Sequence, residues 1–513
     1  MKRIIWFIIG LLLLSSLVIF ITLPKYNIYF NKYIINHISQ IVYWLFFTII
    51  ISIVFLIIKE NSNPVKTLAW IQILIFLPVI GFILYIFLGI NHRKRKLFRN
   101  KLIQDYLTNE HFYKSKLSDS TDIKEEIFKI DSIRQLVRLL YENGKAMLSH
   151  NNQIEFIYSG DQKINRLYQD IQNARKSIHL EYFSILNDNT GRYLRDLLNE
   201  KLIEGVEVRV IYDAVGSWRT GKRFWRKLIR NGGECYAFSP VVLPFLSSKL
   251  NYRDHRKIAV IDNCISYIGG VNIGNQYMGL SKKFSYWRDT HLRIRGEASN
   301  LIQRMFLLDW MFVSNKNVFN EKYFSESKIK EGVPVQIISS GPDSDWENIH
   351  QAYFAMISSA KHYIYISTPY MLLDDSILMA LKIAGLSGVD VRIMLPKVSD
   401  HKFVHYASRS YYYELIQAKV GIYEYHKGFM HAKMIIVDDE FCSVGSANLD
   451  IRSFSQNFEI NALIFDKSKT IELKNQFLED LTNCIEIQYD RFTKRPVLKR
   501  FIESVARLFS PVM

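Results

Sequence analysis

Residues 255–262 read HRKIAVID and residues 431–438 read HAKMIIVD. The pattern His-x-Lys-x-x-x-x-Asp thus occurs twice, 176 positions apart (431 − 255). Each copy sits in a β-branched run bounded by turn residues, KIAVIDN and KMIIVDD, and is expected on a strand. Side chains alternate along a strand, which puts His255 and Lys257 on one face, and likewise His431 and Lys433. An imidazole beside an ammonium suits a phosphate, because lysine neutralises oxygen charge while histidine gives, takes or attacks. Asp262 and Asp438 complete the two motifs and are grouped with their catalytic residues. They stand an odd number of positions from the histidines and fall at turns, so they are expected to make structural hydrogen bonds rather than to do chemistry.

The correspondence continues downstream, with DNCISYIGGVNIG set against DDEFCSVGSANLD. Gly269 and Gly445 stand where a backbone can approach a ligand closely, and Asn272 and Asn448 carry amides that can hold phosphate oxygens. A carboxylate follows in each half, Asp289 and Glu459. Each is expected to accept from its own histidine's second ring nitrogen and fix the tautomer. A His/Asp/Glu group also suits a metal, but lysine is a poor neighbour for a divalent cation, so neither metal nor cofactor is expected.

Further outward, the chain repeats itself. IEFIYSGD (154–161) is echoed by VQIISSGPD (335–343), ARKSIHLEYF (174–183) by AKHYIYISTPY (360–370), and GVEVRVIYD (205–213) by GVDVRIMLP (388–396). Near-constant offsets over so many segments indicate a duplicated domain. Helix-like stretches such as TGRYLRDLLNEKLIEG alternate with the short strands, which predicts an α/β sheet layered with helices. The expected divisions are a first repeat over 151–330 and a second over 331–513, preceded by a helical connector over 101–150 that shows no clear core pattern.

With NYRDHRKIAVIDNCISYIGGVNIGNQY, SYWRDTHLRI and MHAKMIIVDDEFCSVGSANLDIRSFSQNFEINA in view, the doubled motif resembles the phospholipase D superfamily. The flanking residues, from LAWIQILIFLPVIGFILYIFLGIN through to RLFSPVM, are similar to those of bacterial cardiolipin synthases. That resemblance implies two α/β repeats packed about a pseudo-twofold axis, with both motifs in one cleft. It implies a reversible phosphatidyl transfer between two phosphatidylglycerol molecules, giving cardiolipin and glycerol through a phosphohistidine. His255 is then the nucleophile and His431 the acid and base, with Lys257, Lys433, Asn272 and Asn448 on the phosphate. An imidazole with its unperturbed pKa of about 6.5 can do both jobs near neutral pH. The rival reading is a membrane-bound phosphodiesterase that hydrolyses phospholipid or nucleic acid.

Composition favours the lipid. The formal charge of +17 calls for an anionic partner, nucleic acid or anionic lipid. Three uncharged apolar runs, 4–23, 41–58 and 68–90, occupy a membrane region over 1–100 and reach the length of about 18 residues that a spanning helix needs. The first exceeds a signal-peptide core and lacks a cleavage site, so it reads as a retained span or anchor. Together with the apolar loop SPVVLPFLSSKL, these runs point to phosphatidylglycerol and anionic membrane lipids as partners, and no nucleic acid is expected. The cluster NHRKRKLFRNK after the third run outweighs Lys2 and Arg3. It predicts a multi-pass protein of the cell membrane with its large C-terminal part on the cytoplasmic side. The four cysteines show no framework spacing and read as reduced thiols. The tail VLKRFIESVARLFSPVM has Val497, Phe501, Val505 and Leu508 at helical spacing among basic residues. It suits either an amphipathic segment on a membrane surface or a docked terminal helix with a solvated basic face.

Overall fold

A computed structural model describes residues 32–60, 64–88, 98, 101, 130–240, 251–281, 283–344 and 346–510. The chain forms two compact units, Met1–Asn91 and His92–Met513. The apolar run 4–23, most of the basic cluster and the stretch 241–250 of the apolar loop lie outside the described residues.

In the first unit the run 41–58 lies within one helix, Lys32–Glu60. Its segment Ser39–Lys59 is the one described helix long and apolar enough to cross a membrane. The run 68–90 departs from the single span expected of it. It forms two shorter helices, Pro64–Phe76 and Pro78–Leu88. Pro78 has no N–H to donate and its ring crowds the preceding turn, which breaks the helix there.

The second unit holds two large sheets. In the first, the strand Asn152–Ser159 pairs with Trp287–Gly296, and the order then runs through Ile265–Gly269, Lys257–Ile261, Ser177–Tyr182, Glu207–Asp213 and Glu234–Phe238. In the second, Val335–Ser340 pairs with Glu459–Ile464. From there the order runs through Phe441–Gly445, Met434–Val437, Tyr363–Ser367, Asp390–Pro396 and Gly421–Tyr425. Each step has the same sense in both sheets: four antiparallel pairings, then two parallel ones. The parallel pairings require crossovers, and helices such as Asn189–Ile203 and Asp375–Leu386 supply them. The central strands are buried throughout and carry Val, Ile and Leu without strict alternation, as sheets covered on both faces do.

The connector is more than a tether. Helix Asp131–Gly144 buries Ile133, Leu136, Val137 and Leu140 in the core of the second sheet, and Leu148–Ser149 adds an edge strand to Val335–Ser340. The spacing i, i+3, i+4, i+7 of those four residues is a helical core stripe that the polar surroundings obscured. Lys101 is also built in: its ammonium, 1% exposed, reaches Asp309 at 3.2 Å and Asp343 at 2.8 Å.

Two short pairings join the sheets where the motifs lie. Phe429–Met430 runs parallel to Trp287–Arg288, and Asp254 bridges to Phe458. The His431 amide donates to Arg288 O at 2.7 Å, and the His255 amide donates to Phe458 O at 2.9 Å. Each histidine is therefore delivered beside the residue that precedes the other sheet's carboxylate.

Candidate active site

The consequence is an exchange of partners. His255 Nδ1 donates to Glu459 Oε1 at 2.8 Å, and His431 Nδ1 donates to Asp289 Oδ2 at 2.7 Å. The sequence assigned each carboxylate to the histidine of its own repeat; the structure pairs them across the repeats. The backbone bonds at Phe458 and Arg288 enforce the exchange, because a carboxylate one residue further along its strand then faces the incoming imidazole. With Nδ1 committed as donor, each ring keeps Nε2 for chemistry.

Both carboxylates are fully buried and further held. Glu459 accepts from the Ser446 hydroxyl at 2.5 Å and from the Asn457 amide at 3.3 Å. Asp289 accepts from the Thr290 amide at 2.8 Å and the Trp287 indole at 3.3 Å. The two sides differ in a compensating way. A Cβ on Gly270 would lie 2.4 Å from Asp289 Oδ1, so glycine is required against that carboxylate. At the matching place beside Glu459 stands Ser446, whose hydroxyl bonds it. Burial alone would raise both carboxyls, but the imidazole contacts and the buried lysines outweigh it, and both lie below the usual carboxylate range.

Lys257 and Lys433 are buried, and each ammonium donates to the carbonyl of its own motif histidine, the second at 2.6 Å. Burial lowers Lys257 to about 7 and Lys433 to about 8. The charge of Lys433 adds to the lowering of Lys257, while Asp289 and Glu459 oppose the shift in both. Burial likewise lowers both imidazoles to about 4. Lys257 and Lys433 lower each of them further, so each lysine acts on the histidine of the other motif as well as on its own. Two cations and two imidazoles thus share one desolvated centre. The unperturbed histidine pKa expected from sequence does not hold here, because burial disfavours the imidazolium and the two lysines lower it further.

Aromatic rings wall the imidazoles. Phe183 lies 5.2 Å from His255, and Trp287 and Phe429 lie 5.0 and 5.7 Å from His431. Sequence reasoning did not assign roles to these residues or to Ser446. The one available signal was the change from GGVN to GSAN between otherwise matching segments, coupled to the change from Asp to Glu.

Other motif residues sit elsewhere. Asp262 and Asp438 stand at the turns directly after the strands Lys257–Ile261 and Met434–Val437. Both adopt left-handed backbone, at φ 51° and 50°. The Asp262 carboxylate accepts from the amides of Arg175, Lys176 and Ser177, and Asp438 accepts from those of Lys361, His362 and Tyr363. As expected of turn residues that make structural hydrogen bonds, they tie each hairpin to the start of the neighbouring strand. Gly269 and Gly445 admit neighbouring side chains rather than a ligand. A Cβ there would meet His291 Nδ1 at 2.4 Å and Asn461 Oδ1 at 2.2 Å. Asn272 accepts from the Ser184 amide at 3.1 Å and donates to the Tyr277 hydroxyl at 3.3 Å. Asn448 Oδ1 is buried without a hydrogen-bond partner among the described residues.

Two like sheets, each contributing an imidazole, a lysine and the carboxylate for the other's imidazole, define a phosphodiester-transfer enzyme of the phospholipase D type. A family model described as "Cardiolipin synthase, PLD-like domain" matches residues 167–307 and 353–481, and one described as "Phospholipase_D-nuclease N-terminal" matches 41–89. The cardiolipin synthase of Geobacillus sp. (strain WCH70) is 44% identical over 466 residues, 90% of this chain and 92% of that protein. The major cardiolipin synthase ClsA of Bacillus subtilis (strain 168) is 42% identical over 482 residues, 93% of this chain and 100% of that protein. In fold alone, the phosphatidylserine synthase of Haemophilus influenzae Rd KW20 is similar at a TM-score of 0.58 and 15% identity. The match covers 74% of this chain and 100% of that one. The chain belongs to the cardiolipin synthase family, phosphatidyltransferases of the phospholipase D superfamily.

Proposed function

We propose that the shared centre transfers a phosphatidyl group from one phosphatidylglycerol to another, forming cardiolipin and releasing glycerol. The observation that carries this reading is the reciprocal pairing of His255 with Glu459 and His431 with Asp289, which supplies two imidazoles each oriented by a carboxylate of the other repeat. The resemblance assigns the roles. Nε2 of His255 attacks phosphorus, the bond from phosphorus to the glycerol oxygen breaks, and His431 gives that oxygen its proton. His431 then takes the proton from the hydroxyl of a second phosphatidylglycerol, whose oxygen attacks phosphorus and breaks the N–P bond. Protons balance over the cycle, and His431 ends as it began.

The pKa values fit a division between free and loaded states. In the free centre an imidazole at about 4 is neutral at physiological pH, as a nucleophile must be. The acid must carry a proton, and the charge of a bound phosphodiester beside Lys257 and Lys433 raises the imidazole toward that state. Asn272 and Asn448 are assigned to the phosphate oxygens. The repeated hydrogen bonds at Phe458 and Arg288 support a pseudo-twofold relation between the repeats. The basic cluster after residue 90 supports a multi-pass arrangement with the catalytic unit on the cytoplasmic side.

The test is to incubate purified full-length protein with phosphatidylglycerol vesicles in EDTA and measure cardiolipin and free glycerol. Equimolar cardiolipin and glycerol are expected, with activity unaffected by the chelator. Phosphatidic acid as the main product would make the enzyme a hydrolase, and activity restored only by added divalent ion would overturn the metal-free transfer.

A further inference from the structure

The terminal helix Val497–Leu508 is mounted the wrong way round for a soluble domain. A surface helix normally turns its apolar stripe inward and its charges outward. Here the buried positions are Glu503 and Ala506. Glu503 accepts from Arg409 Nε at 3.3 Å and from an Arg495 guanidinium nitrogen at 2.7 Å, while Arg507 donates to Glu414 at 2.6 Å. The helix is thus fastened by its charged side. Val497, Leu498, Phe501 and Leu508 are left between 64% and 77% exposed among the described residues.

The apolar surface continues through Phe509 to Phe403, whose rings lie 5.7 Å apart. Phe403 belongs to helix Lys402–Ser410, against which the terminal helix packs. Asp400 lies in the loop that enters that helix. It accepts from the Tyr370 hydroxyl at 2.6 Å, and its charge is among those acting on Lys433.

We propose that the helix Val497–Leu508, with Phe403 and Phe509, lies on an anionic bilayer, its apolar stripe in the headgroup–acyl boundary and Lys499 and Arg500 on lipid phosphates. Charge complementarity selects this occupant. Lys499 and Arg500 are exposed beside the stripe and would confront their own images across a contact between two copies, whereas an anionic surface neutralises them. The inference rests on the reading that the substrate is a membrane phospholipid, and adds a surface contact between the catalytic unit and the layer where that lipid resides.

The experiment uses full-length protein, with the exposed Cys264 changed to serine, reconstituted in phosphatidylglycerol–phosphatidylcholine vesicles. A spin label is placed at Phe501→Cys, with Tyr193→Cys on helix Asn189–Ile203 as the exposed reference and the unmodified background as blank. The label at 501 is expected to be relaxed more by oxygen than by a water-soluble nickel chelate, and the label at 193 the reverse. In parallel, Leu498→Ser/Phe501→Ser should raise KM for vesicle lipid about tenfold or more while leaving kcat in mixed micelles unchanged. A label at 501 that reports water overturns the proposal. So does a label shielded from both relaxants, which would mean that another segment of this chain or a second copy covers the helix. Cardiolipin formation with a water-exposed label would remove the surface contact and leave the transfer reading intact. A lipid-embedded label without cardiolipin formation would do the opposite.

Discussion

His255 is oriented by Glu459, a carboxylate 204 residues further along the chain and in the other repeat. His431 is oriented by Asp289 in the same reciprocal manner. Neither motif histidine takes its carboxylate from its own repeat. This explains why the chain carries the motif twice: each copy completes the other.

Exchange of partners gives the two carboxylates separable effects. Glu459→Gln and Asp289→Asn should each lower kcat by about 10²–10⁴-fold, because an amide presents the wrong partner to Nδ1 and releases the tautomer. With a substrate whose leaving group needs little protonation, Asp289→Asn should still form the covalent intermediate on His255, and Glu459→Gln should not. Stopped single-turnover trapping of labelled phosphatidyl distinguishes the two. The reverse pattern would mean that each carboxylate serves its own repeat.

The buried lysines set an alkaline limit. Lys257 at about 7 and Lys433 at about 8 are charged below those values and neutral above them, so the free centre loses its attraction for phosphate as pH rises. A bound phosphodiester holds the protons on, so KM should rise with pH while kcat changes less. From pH 7 to pH 9, kcat/KM should fall by more than about tenfold. Lys257→Arg, which keeps its charge, should flatten the fall; an unchanged profile would remove the lysines from phosphate binding.

Asp262 and Asp438 should behave as structural residues. Each carboxylate accepts three backbone amides, and Asp262→Ala or Asp438→Ala leaves those donors without their partner, at a cost of about 1–3 kcal/mol. Thermal unfolding in detergent should shift downward, while kcat per folded molecule stays within about threefold, far less than the loss of an acid or base would cause. A fall in kcat of the size expected for the histidines, with stability unchanged, would return the aspartates to the chemistry.

The α/β layering and the doubled histidine–lysine motif were legible because duplication writes them twice. The partner of each imidazole was not legible. Sequence spacing links Asp289 to His255 equally well, and only the tertiary bonds at Arg288 and Phe458 decide the exchange. The lowered imidazoles were hidden for a similar reason, since they depend first on burial and then on two lysines from different repeats. In the membrane region, composition identified the run 68–90 but not its break, although Pro78 stands within it. The stripe Ile133, Leu136, Val137 and Leu140 was readable in principle; the charged residues interleaved with it hid a helix that belongs to the second sheet's core.

The central claim is that two repeats make one centre with two different histidines, and covalent trapping tests it most directly. Full-length His431→Ala and His255→Ala proteins are each incubated with labelled phosphatidyl substrate carrying a good leaving group, quenched, and mapped for label while cardiolipin is measured in parallel. Both variants should lose cardiolipin synthesis by at least about 10²-fold, with label on His255 in the His431→Ala protein and none in the His255→Ala protein. Label only on His431, in the His255→Ala protein, would exchange the two roles. Two variants that each keep about half the activity would contradict the shared centre itself.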